Sequence, residues 1–170
     1  MNESWIYNNP IESLPDFDTN NVFIALLGLE SLPPHVVLMH KQMVYSFSVR
    51  GVEMTKDPGR MIRRIWSSRQ CAIFTCAESD NENLCKKVYK SYEVLKSGAS
   101  CIDPIVEILK HEWGIIPQKP YLHGLLNALR ENKKLEECNV SYPAQGVFEL
   151  KAYNRSVIDQ RIEELSRNRK

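Results

Sequence analysis

The hydrophobic pattern of this chain predicts an α+β fold, an antiparallel sheet with helices packed on one side of it. Two observations carry that prediction. Apolar or alternating runs of strand length occupy residues 22–29, 35–40, 43–49, 71–76 and 146–153. Between them lie stretches with apolar residues at helical spacing, and the two kinds mix without strict alternation. At 170 residues, 43% hydrophobic and 25% charged, the chain is long enough to bury one core. It is read as a single domain over 1–170, with an irregular N-terminal arm (1–20), a core (21–153) and a C-terminal helix (154–170).

The elements follow in order. Residues 1–20 are polar and contain Pro10 and Pro15. Residues 22–29 form a continuous apolar run that Pro33-Pro34 ends. Residues 35–40 and 43–49 read as a hairpin turning at Lys41-Gln42. Gly51 and Asp57-Pro58-Gly59 mark a loop, and Met61, Ile62, Ile65 and Trp66 then share a helical face. After a strand at 71–76, Ser79 and Glu82 have capping-box spacing. Behind them Leu84, Cys85, Val88, Tyr89 and Leu95 form a helical stripe that Gly98 closes. A helix opening at Cys101 runs to Trp113-Gly114. Pro117 and Pro120 punctuate the next loop, and Tyr121, Leu122, Leu125, Leu126 and Leu129 form another helix face. Ser156 and Asp159 have the spacing of an N-cap and acidic third position for the last helix.

Composition narrows the function. A net charge of +1 creates no field for nucleic acid, and the arginines at 60, 63, 64 and 69 read as a solvated helix face. No apolar run reaches the length of a membrane span, and the start lacks signal-peptide order. Five cysteines, an odd number, suggest reduced thiols and a cytoplasmic protein, with export by a signal-free secretion system left open. Cys71, Cys76 and Cys85 read as core thiols, whereas Cys138 lies in a polar stretch and is expected to be exposed. No Cys-x-x-Cys pair occurs, and His35 and His40 point to opposite faces of a regular strand, so neither a metal site nor a cofactor is expected.

The chemistry concentrates on Cys101. A thiol where a small-residue loop enters a helix meets unpaired N–H groups and the positive end of the helix dipole, which favours the thiolate. His35 begins a strand upstream. With the hairpin turning at Lys41-Gln42, Val37 pairs with Ser46 and His35 faces Ser48, so His35, Ser46 and Ser48 share one sheet face. The candidate catalytic residues are therefore Cys101 as nucleophile, His35 as base and Ser46 as the residue that orients the imidazole.

The order is a His-Val strand (His35-Val36-Val37-Leu38), a second strand ending in Arg50-Gly51-Val52, and Ser100-Cys101-Ile102-Asp103 at a helix start, followed by Pro120 and a leucine-rich helix. Over residues 20–130 it resembles the circularly permuted papain-like hydrolases of the NlpC type, which include the lecithin–retinol acyltransferase relatives. The resemblance implies a permuted papain-like fold with its nucleophile at a helix N-terminus. It also implies a thioester acyl-enzyme and a substrate that is a peptide or peptidoglycan-stem amide or a lipid acyl ester. The position that orients the histidine, often His, Glu, Gln or Asn in that family, is Ser46 here. The departure motivates an alternative, a non-catalytic binding or regulatory protein on the same fold with a decayed site. Oligomeric state is not specified by the sequence.

Overall fold

A computed structural model describes residues 4–119, 121–143 and 145–168; Pro120, expected to punctuate the loop before the leucine-rich helix, lies outside the described residues. In chain order the elements are β1 (Trp5–Asn8), β2 (Asn21–Leu27), β3 (His35–His40), β4 (Met43–Ser48), β5 (Gly51–Lys56), α1 (Pro58–Trp66), β6 (Cys71–Glu78), α2 (Glu82–Lys90), α3 (Asp103–Trp113), α4 (Leu122–Glu131), β7 (Leu135–Val140), β8 (Val147–Leu150) and α5 (Arg155–Arg167). Six strands form one antiparallel sheet in the order β5-β4-β3-β2-β6-β7, and β1 pairs with β8 in a separate ribbon. The class is α+β.

β2 and β3 lie at the middle of the sheet, and both parities of their side chains are apolar. Val22, Ile24, Leu26, Val36 and Leu38 join the larger core, into which α2, α3, α4 and α5 also send side chains. Phe23, Ala25, Val37 and Met39 face the other way, where Ile62 of α1 and the rings of Phe17 and Trp66 cover them. Helices thus cover both faces, not one. The sequence reason is the continuous apolar run of β2: a strand buried on one face only would alternate.

Residues 4–20 are not wholly irregular. Trp5–Asn8 pair with Val147–Leu150, and Trp5 is 3% exposed. Its indole Nε1 donates to Asn127 Oδ1 at 3.0 Å, its ring meets Phe74 edge-on, and the Arg130 guanidinium sits 4.1 Å above it. Farther along, the Ile11 N–H donates to Cys138 O and the Val140 N–H to Ile11 O, so the segment covers the outer edge of β7. That cover corrects the expectation for Cys138, which is 1% exposed. Its polar neighbours Glu136 and Glu137 are exposed, whereas Cys138, Asn139 and Val140 are all buried, in a strand the sequence reading missed.

Other boundaries differ for local reasons. β5 occupies the stretch expected as a loop, with Val52 and Met54 turned toward the core. α2 ends at Lys90 instead of running to Gly98, because the Leu95 N–H donates to Ser48 O and holds the chain extended beside β4. The α2 cap is Asn81, whose Oδ1 accepts from the Leu84 N–H at 3.2 Å; Ser79 donates instead to Glu112. α5 is capped by Asn154, which accepts from the Val157 N–H, two residues ahead of the expected Ser156. α3 begins at Asp103, with Cys101 in the turn before it, and ends at Gly114, whose φ of 66° is the left-handed conformation that glycine closes a helix with.

Candidate functional site

The β3–β4 register is the one the hairpin implies: His40 pairs with Met43 and Val37 with Ser46. His35 therefore shares a face with Ser46, and its Nε2 lies 2.9 Å from Ser46 Oγ. For His35 to accept a proton at Nδ1, Nε2 must carry the ring hydrogen, and the Ser46 hydroxyl oxygen is then its acceptor. Ser46 pairs in turn with Glu53 on β5. Burial pulls the His35 imidazole below its ordinary value, with the charge of Glu53 working against that shift.

The β3–β4 ladder ends at Val37 and Ser46. Counting in pairs from His40–Met43, Val36 and Phe47 would be the next residues to exchange backbone hydrogen bonds. Instead the Val36 N–H is left close enough to the Cys101 sulfur to favour its charged form, and the Ser48 carbonyl accepts from Leu95. The thiol thus occupies the notch where the two strands part, one residue along the backbone from His35. This notch is where the two sides of the sheet meet. His35 belongs to the face of Val37 and Met39, whereas Cys101 packs against the core on the face of Val36 and Leu38.

Cys101, His35 and Ser46 all line one cavity of about 430 Å³, with Ile158, Ile162 and Leu165 of α5 along another wall. The structure brings the three predicted residues to one cavity but hydrogen-bonds only His35 to Ser46. The Val36 N–H and Ser100 act on the thiol by favouring its charged form. Nor is it a thiolate. Burial pushes the Cys101 thiol up to about 11, helped by the charge of Asp103, and the hydrogen bonds from Val36, its own N–H and Ser100 do not offset this. The expectation of a depressed pKa is corrected for two reasons. The residue precedes the helix by two positions, and desolvation outweighs the partial charges of the turn. Iodoacetamide is therefore expected to label native Cys101 at pH 7 at least ~100-fold more slowly than a free model thiol of ordinary pKa, read by peptide mass spectrometry.

The loop that presents Cys101 is tied to α5. Arg155 Nη2 donates to Ala99 O at 2.6 Å and to Asp159 Oδ1 at 2.7 Å, and Asp159 Oδ1 also accepts from the Gly98 N–H at 3.1 Å. The hydrogen bond from Arg155 and that from Gly98 hold the Asp159 carboxyl below its usual range. Sequence spacing singled out Asp159 as a first-turn acid; its contact with residue 98 was invisible to it. Asp159→Asn is expected to weaken this tie and to raise backbone hydrogen exchange at residues 97–101 several-fold, with little change elsewhere.

A second cysteine–histidine contact lies in the core. His40 Nε2 donates to Ser79 O at 2.8 Å, which leaves Nδ1 as acceptor for the Cys85 thiol 3.9 Å away. Both residues are 2% exposed and neither lines the cavity, so the pair packs α2 onto β3. Burial pushes Cys85 up to about 12. No described helix is long and apolar enough to cross a membrane. Among the described residues no group of three His, Cys, Asp or Glu side chains is placed to hold a metal ion. Comparison with known proteins found no matching family model, no similar curated protein and no similar solved structure.

Proposed function

We propose that this protein is a thiol hydrolase or acyltransferase of the permuted papain-like type, with Cys101 as nucleophile, His35 as base and Ser46 as the residue that orients the imidazole. The observation that carries the reading is that Cys101, far along the chain from the His35–Ser46 hairpin, lines one cavity with both. A raised thiol and a lowered imidazole make the resting pair neutral. His35 then acts as a general base: the Cys101 proton passes to the ring as the sulfur attacks an acyl carbonyl. His35 returns that proton to the leaving group when the tetrahedral species collapses to a thioester. Water, or another acceptor, releases the acyl group. The substrates are peptide or peptidoglycan-stem amides or lipid acyl esters. Five free cysteines fit a reducing, cytoplasmic setting.

The test is acylation. Incubation with p-nitrophenyl butyrate should release p-nitrophenol in a burst and leave a butyryl thioester on Cys101, found by peptide mapping. Acyl groups only on other residues, or a wild-type rate matched by His35→Ala, overturn the reading. Among the described residues no hydrogen bond joins the thiol to His35, whose Nε2 is engaged by Ser46, and this favours the second reading, a binding protein with a decayed site. No acylation of Cys101, with a ligand still bound in the cavity, is its signature.

A further inference from the structure

The wall of the cavity is divided by chemistry. Beside Cys101 the lining holds apolar Val49, Leu95, Ile158 and Ile162 together with Arg50, Arg69 and Arg161, of which Arg50 and Arg69 are exposed. One acidic side chain, Glu53, shares the lining. Arg161 is paired with Glu164 at 3.4 Å on the exposed face of α5, a contact that solvent weakens. Among the described residues, no carboxylate forms an ion pair with Arg50 or Arg69. The three arginines come from the β4–β5 turn, the segment before β6 and α5, parts of the chain that no local sequence pattern joins. Their guanidinium groups stay charged at every accessible pH and present donors in a fork that fits oxyanions bidentately. With His35 neutral and Arg161 paired with Glu164, Arg50 and Arg69 against Glu53 leave the lining positive.

We propose that the cavity selects ligands carrying an oxyanion, a carboxylate or phosphate, separated by a short apolar spacer from the group placed at Cys101, with Arg50 and Arg69 holding the anion. The inference rests on the proposed reading of the site only in treating that group as an acyl carbonyl; binding of the anion itself does not require catalysis. Neutral acyl donors of the same shape fill the apolar wall and leave the guanidiniums without a partner. The preference is thus a difference between two substrates of equal bulk.

The experiment compares the mono-p-nitrophenyl ester of glutarate, which ends in a carboxylate, with p-nitrophenyl valerate, which ends in a methyl group. The anionic ester should show a kcat/KM at least about tenfold higher, falling as sodium chloride is raised. In the Arg50→Gln/Arg69→Gln variant the ratio of the two esters should collapse toward one. Both positions are exposed, so the fold should tolerate the change. Glutarate and n-butyl phosphate are titrated in parallel, with thermal stabilisation and protection of Cys101 from alkylation as readouts. The tighter binder identifies the anion. Equal rates on the two esters, or a preference that survives the double substitution, overturn the proposal while leaving the hydrolase standing. Hydrolysis of neither ester, with glutarate or n-butyl phosphate bound by the wild type and lost in the variant, sustains the anion site and removes the hydrolase. Hydrolysis of neither and binding of neither removes both.

Discussion

Cys101→Ala is expected to abolish acyl-enzyme formation and to lower p-nitrophenyl ester turnover on the order of a thousandfold or more. Its thermal unfolding should stay close to that of the wild type, because the side chain is small and only half-buried at the cavity wall. His35→Ala should cost about 10²- to 10⁴-fold, the usual contribution of a positioned general base. Ser46→Ala should cost less, since it removes the oxygen that holds the ring and not the ring itself. The pH profile separates this mechanism from a thiolate–imidazolium pair. A base must be unprotonated, so kcat/KM should rise with pH through the His35 pKa, which burial places below the ordinary histidine value. It should then stay level toward the thiol pKa of about 11. A profile that falls again between pH 7 and 9 would contradict the neutral pair, as would an activity maximum on the acid side of the His35 transition.

Trp5→Ala is expected to destabilise the protein by about 3–5 kcal/mol, read as a lower urea midpoint with an unchanged slope. The indole is buried among Phe74, Phe148 and Tyr7, and its N–H is satisfied by Asn127. Truncation opens a void beside the sheet and leaves Asn127 without that donor. Arg130→Ala should cost about 1 kcal/mol, the scale of a partly exposed cation–π contact, and Trp5→Phe should fall between the two. Because β1 pairs with β8, just before α5, the loss should also loosen the helix that walls the cavity. A Trp5→Ala variant as stable as the wild type would show that the N-terminal strand contributes nothing to the core.

Several elements were legible because one physical signal dominated each. The β3–β4 hairpin is specified by strand parity and a two-residue turn, so His35 beside Ser46 could be counted out by hand. α3 and α4 announce themselves by apolar spacing, and Gly114 marks the end of α3. Where signals were weak, the reading failed. β1 and β7 are short strands with polar neighbours, and their burial depends on partners far along the chain. β5 does alternate, Val52 and Met54 against Glu53 and Thr55, but the flanking glycines read more strongly as a loop. Leu95 continues the helical stripe of α2 and yet lies outside the helix, because its backbone is needed beside Ser48.

The sequence by itself determined the class of fold, the pairing of the central hairpin and the three side chains worth examining. All of these follow from periodicity and turn chemistry, which act over a few residues. Only the tertiary structure decided what those side chains are. It parted β3 from β4 at Val36 and seated the Cys101 thiol in the notch. It placed that thiol where desolvation raises its pKa, fastened its loop to α5 through Arg155 and Asp159, and brought three distant arginines to the lining of one cavity. Burial and charge at a point are sums over neighbours from the whole chain, and no local pattern records them.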